Sequence, residues 1–264
     1  MAESLIAVAR ELALRAGEIH LKHWRTFDPS EVKLKSRRNP VTDADLAAER
    51  WIVDELARRF PDHRVVAEEE GGRAASGVHE WIVDPLDGTV NFAHGLPIFC
   101  VSIAVRRGEE LLAGVVHAAA LRETYEAERG AGATRNGVRL HVSKNAELRE
   151  ALLATGFAYQ RNEVVENNVR AFDDLILRCR DIRRTGSAAL DLACVAAGHY
   201  DAYWEPYLHA WDIAAGALLV TEAGGRVTDM AGGGDMLRRG DVLASNGTGL
   251  HEVVLEAARF KSPG

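Results

Sequence analysis

The sequence predicts a mixed fold in which an α+β part is followed by an α/β part. Up to about residue 149, helical periodicity gives way to short apolar strands separated by turn residues, which is typical of antiparallel pairing. From residue 150 onward, strands and helices alternate. No internal repeat, low-complexity tract or flexible linker interrupts the sequence. We therefore expect one domain over residues 1–264, made of the halves 1–149 and 150–264, which share an interface.

Composition excludes several classes of function. The 264 residues are 47% hydrophobic, which is enough to bury a sizeable core. The net charge is -7 and Lys and Arg form no basic stripe, so nucleic acid is not an expected partner. No apolar stretch reaches about 18 residues, so we expect a cytoplasmic protein without membrane contact. Cys100, Cys179 and Cys194 lack C-x-x-C spacing, which favours buried free thiols over zinc ligands or disulfides.

Helical spacing of apolar residues predicts two helices near the N-terminus. The first spans Leu5–Trp24. The second runs from Thr42 to about Phe60. Its first residues, Thr42 to Asp45, form a T-x-x-D pattern that resembles a capping box. Between them, the basic and polar stretch Lys33–Pro40 ends in proline, so we expect a mobile loop that acts as a lid.

Short apolar runs between Gly, Pro and charged turns predict the strands of the first half. These strands are Arg64–Ala67, Glu80–Val83, Phe99–Arg106, Leu111–Ala118 and Glu123–Ala127. The pair Asn136-Gly137 predicts a hairpin turn, because both residues tolerate positive φ.

The second half is predicted to alternate between strands and helices. Its strands are Leu152–Thr155, Ile182–Arg184, Asp201–Trp204 and Val242–Ala244. Its helices are Val164–Cys179, Ala188–Ala197, Trp211–Glu222 and His251–Phe260.

Two carboxylates follow an apolar strand in the segment W-I-V-D-P-L-D-G-T, residues 81–89. Asp84 lies at the strand end and Asp87 lies just past a bend fixed by proline. Both side chains and the Leu86 carbonyl can therefore converge on one hard cation, for which Mg²⁺ fits. Taken alone, the segment is equally compatible with an ordinary turn whose carboxylates are solvated.

Further acids lie at the ends of predicted elements. Glu68 begins a run of three glutamates after a strand, where a solvated loop is the commoner explanation. Asp212 lies in the first turn of a helix, where an acid commonly complements the helix dipole. Together, the acids match a two-metal phosphoryl-transfer site between the halves. Gly88 and Thr89 then form a turn that can hold phosphate oxygens, and no nucleotide P-loop sequence is present.

Three motifs make the chain similar to a known family. They are Glu68-Glu69, the run D-P-L-D-G-T-V-N-F at 84–92 and W-D-I-A-A-G at 211–216. In this order, they resemble the inositol monophosphatase family, of the bacterial inositol-1-monophosphatase type, over nearly the whole chain. The resemblance implies a layered α-β-α-β-α sandwich of the sugar-phosphatase type, two or three Mg²⁺ ions, lithium sensitivity, a homodimer and a small phosphorylated polyol as substrate.

The resemblance also implies roles for individual residues. The implied metal ligands are Glu68, Asp84, the Leu86 carbonyl, Asp87 and Asp212. The implied catalytic residues are Asp45, Thr89 and Glu69, of which Asp45 and Thr89 position and deprotonate the attacking water. The implied substrate contacts are Gly88, Thr89, Gly186, Ser187, Ala188, Glu205 and Asp212. From the residues alone, Ser187 equally fits a helix N-cap. The alternative for Glu205 is a solvated carboxylate after a strand, and the substrate role is favoured over it.

The reaction that the resemblance implies is in-line attack of water on phosphorus, without a phosphoenzyme, and myo-inositol monophosphate is the expected substrate. Fructose 1,6-bisphosphate and histidinol phosphate remain alternatives on the same fold. Relatives that act on 3′-phosphoadenosine 5′-phosphate typically carry K-E-F where this chain has V-N-F at 90–92, so that branch is disfavoured. A different alternative is a transcription-associated binding role with RNA polymerase, although the full set of acids argues for retained catalysis.

Overall fold

The computed structural model describes residues 3–24, 33–36, 39–164 and 166–259, with side chains for all of these except 33–36 and 39–41. Within these residues the helices are α1 Leu5–Trp24, α2 Asp43–Arg59, α3 Thr89–Ala93, α4 Val169–Ile176, α5 Ala188–Ala196, α6 Ala210–Glu222, α7 Met236–Arg239 and α8 Leu250–Ala258. The strands are β1 Lys33–Ser36, β2 Asn39–Val41, β3 Arg64–Ala67, β4 His79–Asp87, β5 Cys100–Arg107, β6 Glu110–Ala118, β7 Glu123–Glu128, β8 Gly132–Arg135, β9 Val138–Arg139, β10 Leu152–Thr155, β11 Asp181–Arg183, β12 Ala202–Pro206, β13 Arg226–Thr228 and β14 Asp241–Ser245. None of the described helices combines the length and the apolar character that crossing a bilayer requires.

In the described part of the chain, the strands form two large sheets. One contains β3 to β9 in sequence order, and only its first pair, β3 with β4, is parallel. The other has the order β11-β10-β12-β14-β13. Its first three strands are parallel, and β14 runs antiparallel to both of its neighbours. The Asn136-Gly137 turn joins β8 to β9 with positive φ at both residues, as predicted.

Helices cover both sheets and fill the space between them. α1 and α2 pack on one face of the sheet β3–β9, whereas α5 and α6 lie between the two sheets. α4 and α8 cover the far face of the second sheet. On β4, Trp81 and Val83 pack beneath α1 and α2, while Ile82 faces α5 and α6. Because β4 is buried on both faces, its sequence is an almost continuous apolar run. The predicted α-β-α-β-α layering is confirmed.

The first helix shows why periodicity located it correctly. Its buried residues Val8, Leu12 and Ala16 recur every four positions and face the sheet. Such an i, i+4 spacing places side chains on one side of an α-helix, so packing against the sheet stabilises the helix. α1 spans Leu5–Trp24, as predicted.

The predicted loop at Lys33–Pro40 is wrong in its secondary structure. The structure places β1 and β2 there as an antiparallel pair, with Lys33 opposite Val41 and Leu34 opposite Pro40. A proline is tolerated because a two-stranded sheet has only edge strands. Polar composition suggested a loop, but the alternation of residues in K-L-K-S also suits a strand. Residues 37 and 38 lie outside the described residues.

The helix predicted over Val164–Cys179 is shorter in the structure, where α4 begins at Val169. Asn168, the residue before it, has a left-handed φ of 71° and donates its side-chain amide to Thr155 Oγ1 and the Gly156 carbonyl. Asparagine tolerates this conformation and competes with the helical backbone through such bonds. The helix therefore cannot extend back through this residue.

Candidate active site

A cavity opens where the two halves of the chain meet. Its floor comes from the end of β4 and the start of α3, and its walls come from the segments around 157–160, 184–188 and 205–212. The lining residues are Glu68, Asp84, Leu86, Asp87, Gly88, Thr89, Phe157, Ala158, Tyr159, Gln160, Arg184, Gly186, Ala188, Glu205, Tyr207, Leu208, His209, Trp211 and Asp212. The cavity therefore collects most of the residues that the sequence singled out.

A β-bulge at the end of β4 directs two of the acids. Asp84 pairs with Ser102 and Asp87 pairs with Cys100, so the register of β4 shifts between the two aspartates. The backbone amide of Leu86 donates to Asp84 Oδ1 at 2.9 Å and closes the bulge. A bulge turns side chains out of the regular alternation, which allows two carboxylates from one strand end to approach the same cavity.

Three aspartates meet in this cavity. Asp84, Asp87 and Asp212 each offer a carboxylate oxygen, and these oxygens lie within 4.8 Å of one another. Asp212 reaches the group from the first turn of α6, where its Oδ2 accepts the amide of His209 at 2.6 Å. The grouping joins an acid from the second half to two from the first, as the two-metal interpretation requires.

Glu68 lies near this cluster but is not part of the group of three. Its position follows from sheet pairing, because β3 and β4 run parallel with Ala67 opposite Val83. The next residues along the two strands, Glu68 and Asp84, therefore emerge at the same edge of the sheet. Glu68 lines the cavity from there.

Asp87 also caps the N-terminus of a helix from the other half of the chain, α5. Its Oδ2 accepts the Ser187 hydroxyl at 2.6 Å and the Ala189 amide at 2.8 Å. Ser187 is the N-cap residue of α5, as the N-cap alternative predicted, but its hydroxyl makes no side-chain cap bond. Asp87 instead supplies the acceptor for the helix N-terminus, where a negative charge is favourable. Burial raises the pKa of Asp87 to about 6, while these hydrogen bonds oppose the increase.

Asp45 and Thr89 form a buried pair beside the cavity. Thr42 fixes Asp45 Oδ2 through its amide at 2.8 Å and its hydroxyl at 2.5 Å, which confirms the predicted capping box. The Thr89 hydroxyl lies 3.2 Å from Asp45 Oδ1 and 3.0 Å from the Leu86 carbonyl oxygen. Burial raises the pKa of Asp45 to about 6, against the hydrogen bonds from Thr42.

The three-aspartate cluster has the properties of a divalent cation site. Asp84 Oδ2 is buried and has no hydrogen-bond partner among the described residues. The pKa values of Asp84 and Asp212 lie well above the ordinary range, first because of burial and then because of repulsion from neighbouring acids. A hard cation would satisfy the unpaired oxygen and remove this repulsion, and carboxylate oxygens are the donors such cations prefer. The residues present fit that group.

Glu205 lies on the wall of the cavity contributed by the second half. The Tyr203 hydroxyl donates to its Oε2 at 2.5 Å. Burial raises the pKa of Glu205 to about 7, against the hydrogen bond from Tyr203 and the charge of Arg184. A Cβ atom at residue 156 would clash with the Glu205 carboxylate, so Gly156 is what leaves room for this side chain.

Gly88 starts the turn that leads into α3. Its φ is 91°, and a Cβ there would lie 2.7 Å from the carbonyl oxygen of Ile98. Both the left-handed backbone and the close approach therefore require glycine. Gly88 and Thr89 line the cavity, together with Gly186 and Ala188 from the facing segment.

Three predicted site residues lie outside the cavity lining: Asp45, Ser187 and Glu69. Asp45 lies beside the cavity and is bonded to Thr89. Ser187 is buried and its hydroxyl donates to Asp87, so it contacts the acid cluster and does not face the cavity. Glu69 follows Glu68 but does not line the cavity, and its backbone amide donates to Glu49. The catalytic role of Glu69 stays a prediction.

Sequence reasoning missed several residues of the cavity and its support. Arg184 and the aromatic residues Tyr159, Tyr207 and Trp211 line the cavity without having been singled out. Trp211 belongs to a quoted motif, and Arg184 lies two residues before the predicted contact Gly186, so the position of each was an available signal. Asn91 also belongs to a quoted motif, and its amide donates to the carbonyls of Ile98 and Thr185, at 2.7 and 2.9 Å.

Comparisons with known proteins match the chain over nearly its whole length. A sequence model described as the inositol monophosphatase family matches residues 1–262. Nus factor SuhB from Pseudomonas aeruginosa is 43% identical over 249 residues, with 92% of each chain covered. Inositol-1-monophosphatase from Mesorhizobium japonicum is 42% identical over 244 residues, again with 92% of each chain covered. The crystal structure of extragenic suppressor protein suhB from Bartonella henselae superposes with a TM-score of 0.91 at 35% identity, covering 98% of this chain and 100% of that one.

Proposed function

Because the chain belongs to the inositol monophosphatase family, whose members are metal-dependent phosphatases, we propose that it hydrolyses small phosphate monoesters with Mg²⁺ as its cofactor. Its substrate in this proposal is a myo-inositol monophosphate, which it splits into inositol and phosphate. The observation that carries the proposal is the cluster of Asp84, Asp87 and Asp212, which draws acids from both halves of the chain and contains a buried oxygen without a partner among the described residues.

The acids of the cavity would hold the cations. Glu68, Asp84, the Leu86 carbonyl and Asp87 would bind one, and a second would be shared by Asp87 and Asp212. When bound there, divalent cations supply charge neutralisation of the phosphate and a lowered pKa of coordinated water. The Ala189 amide and the Ser187 hydroxyl hold Asp87 in place, so its orientation is set before any ligand arrives.

Asp45 and Thr89 would orient the attacking water. Because Thr42 fixes one oxygen of Asp45, the other stays directed at Thr89. The Thr89 hydroxyl can donate to Asp45 while its oxygen accepts a hydrogen bond from water. A proton from that water can then pass to Thr89 as Thr89 gives its own proton to Asp45, which is general base catalysis through a hydroxyl.

The opposite wall would bind the leaving group. Glu205 carries two acceptor oxygens, of which one already accepts the Tyr203 hydroxyl. The remaining acceptor capacity suits a substrate hydroxyl, and a site built around such a bond rejects esters that lack it. This assigns substrate selection to Glu205 and phosphate chemistry to the aspartates.

The proposal is tested with a panel of phosphate esters assayed with Mg²⁺, together with the variant Asp87→Asn. We expect hydrolysis of inositol monophosphate to exceed that of fructose 1,6-bisphosphate and histidinol phosphate. Asp87→Asn keeps the size of the side chain but removes the charge that a cation requires. We expect kcat to fall by more than about 100-fold, since even residues that only support metal ligands typically cost 10- to 100-fold.

Asp174→Asn provides the matched control. Asp174 lies on α4, away from the cavity, and is paired with Arg178 just after the end of that helix. Its variant should therefore keep wild-type turnover. Circular dichroism should show that both variants fold. Near-normal turnover in Asp87→Asn would refute the assignment of this residue, and no hydrolysis of any ester by the wild-type protein would refute the phosphatase proposal.

The relatives named Nus factor favour a second candidate role, in transcription. In this alternative the chain binds RNA polymerase independently of catalysis. The two roles separate in Asp87→Asn, because a folded but inactive protein would keep a binding role and lose a catalytic one. A pull-down of purified RNA polymerase with wild-type protein and with this variant distinguishes them.

The homodimer implied by the resemblance and the cytoplasmic location expected from the lack of a long apolar stretch stay predictions. Light scattering of the purified protein gives its mass in solution, for comparison with the 28.8 kDa of one chain. Fractionation of cells gives the location.

A further inference from the structure

We infer that Glu49 is a positioning residue that fixes the turn after β3 and thereby holds Glu68 at the cavity. The inference rests on the proposed function insofar as Glu68 is a metal ligand. Glu49 touches neither the cavity nor a reacting group, so its effect would pass through Glu68.

The Glu49 carboxylate binds two backbone amides of the turn after β3 and so acts as a clamp on that turn. Its side chain is 1% exposed. Its Oε2 accepts the backbone amide of Glu69 at 2.7 Å, and its Oε1 accepts that of Glu70 at 2.5 Å. Both oxygens of one buried carboxylate are therefore bound to consecutive amides of the same turn. Hydrogen bonds from amides to a carboxylate are stronger than neutral ones, and losing the acceptor would leave donors unpaired.

Glu68 is fixed from both sides as a result. On its N-terminal side, Ala67 is paired with Val83 of β4. On its C-terminal side, Glu69 is held by Glu49. Two fixed neighbours hold the backbone of Glu68, and with it the direction of the Cα–Cβ bond from which its carboxylate reaches the cavity.

Helix α2 connects this clamp to the catalytic pair. Asp45 and Glu49 are one helical turn apart, so their side chains leave the same face of the helix. Asp45 bonds with Thr89 at the start of α3, whereas Glu49 binds the turn that carries Glu68. One face of α2 thus carries Asp45 and, through Glu49, sets the position of Glu68 relative to it.

The neighbouring charges offer a matched control. Arg50 and Glu70 form an ion pair at 2.7 Å through side chains that are 62% and 48% exposed. Glu70 is held in the turn by its backbone, while its carboxylate faces solvent. Exposed pairs of this kind contribute little to stability, so Glu70→Gln should change neither metal binding nor turnover.

The test compares wild type, Glu49→Gln, Glu49→Ala and Glu70→Gln by Mg²⁺ titration of activity and by calorimetric titration with Mg²⁺ alone. We expect Glu49→Ala to raise the Mg²⁺ concentration for half-maximal activity about 10- to 100-fold, as loss of a group that supports a metal ligand typically does. Glu49→Gln retains one acceptor oxygen and should give a smaller increase. The value of kcat at saturating Mg²⁺ should change much less than the half-saturation concentration.

Hydrogen exchange gives a readout that does not depend on activity. The amides of Glu69 and Glu70 should exchange faster in Glu49→Ala than in wild type, with and without Mg²⁺. If Glu49→Ala fails to fold, Glu49→Gln carries the test, because it preserves the volume of the side chain. Unchanged exchange of both amides, or a fall in kcat with an unchanged Mg²⁺ dependence, would overturn the inference. Absence of hydrolysis in wild type would instead count against the proposed function, while exchange would still decide whether Glu49 holds the turn.

Discussion

Each aspartate of the central cluster is oriented by a backbone amide. One oxygen of the carboxylate accepts that amide, which fixes the plane of the group and leaves the second oxygen for a ligand. The three amides belong to Leu86, Ala189 and His209. Charged groups of like sign would otherwise repel one another and turn away, so backbone bonds that hold them together prepare the site for a cation. Cation binding by these aspartates therefore depends on the backbone bonds that orient each carboxylate as well as on the presence of the carboxylate.

Glu205 allows a prediction about specificity at the same scale. Glu205→Gln should reduce kcat/KM for inositol monophosphate by at least about 10-fold, because a lost hydrogen bond to a charged acceptor corresponds to roughly 1.5–3 kcal/mol. Hydrolysis of an aryl phosphate without hydroxyls should fall far less. Steady-state kinetics with both esters provides the measurement.

The variant Gly156→Ala tests the assignment of Glu205 by moving its carboxylate instead of replacing it. A Cβ at this position displaces the Glu205 carboxylate without altering its charge, so the variant should reproduce the selective loss. Asp212→Asn is the contrasting control, since it should weaken hydrolysis of both esters. Equal losses on both esters for Glu205→Gln would place Glu205 among the residues common to every substrate.

The sequence identified residues whose chemistry is encoded locally. Asp84 and Asp87 were found because acids after an apolar strand are visible in the sequence itself. Glu49 was missed because its role depends on a contact with a turn 20 residues away. Asp45 was predicted from the residues only as part of a cap, and its contact with Thr89 spans 44 residues. Spacing along the chain cannot report such contacts.

At the level of elements, the helices α2, α5 and α6 begin at the site, as does the short helix α3. Asp45 and Asp212 each occupy the third position of a helix, α2 and α6, and accept the amide of the capping residue. Asp87 accepts the N-terminal amide of α5 from outside the helix. The positive ends of the dipoles of α2, α5 and α6 therefore point toward the acids. This arrangement favours negative charge in the cavity, both of the carboxylates and of a phosphate.

Helix α8 is joined to the second sheet by a buried histidine, which leads to a prediction about stability. His251 bonds with Thr228 on β13 at 3.1 Å and with Ser245 on β14 at 2.9 Å. Burial, together with the charge of Arg226, lowers its pKa to about 4. In the unfolded chain the pKa returns to about 6.5. Between these values the unfolded state binds the extra proton, so stability is lost as the pH falls from 6.5 toward 4.

The measurement is urea unfolding of wild type and His251→Gln at pH 7.5 and pH 5. Wild type should lose more of its unfolding free energy between the two pH values than the variant, by on the order of 1 kcal/mol for each pKa unit titrated. The carboxylates are common to both proteins, so their effect cancels in the comparison. His94→Gln, which alters an exposed histidine, should behave like wild type. A pH response of His251→Gln equal to that of wild type would contradict the assignment.

Element boundaries were predictable where packing is periodic and failed where a local bond overrides it. α1 and the strand β10 match their predicted ranges. β4 extends beyond its predicted end through a bulge, which the proline at residue 85 concealed. The short helix α3 went unpredicted because its five residues are too few for a periodic pattern.

At the scale of the whole molecule, the site is an interface between the two halves of the chain. Asp84 and Asp87 come from the first half and Asp212 from the second. Asn91 strengthens the junction, because its amide bridges the Ile98 carbonyl of the first half and the Thr185 carbonyl of the second. The order of elements predicted an α+β half and an α/β half, and the family resemblance implied the layering. The closeness of these residues depends instead on how the sheets pack through α5 and α6.

A cation bound between the halves should therefore stabilise the whole fold. Binding only to the native state adds RT ln(1 + [L]/Kd), which is about 2.7 kcal/mol at 100 times Kd. For a chain of this size, each kcal/mol raises Tm by roughly 2–4 °C, so saturating Mg²⁺ should raise Tm by roughly 5–10 °C above its value in EDTA. Asp87→Asn should abolish most of this increase, because it removes the ligand proposed to bridge both ions, whereas Asp174→Asn should preserve it. Differential scanning calorimetry across a Mg²⁺ series gives the result, and a Tm that does not depend on Mg²⁺ in wild type would show that no cation joins the halves.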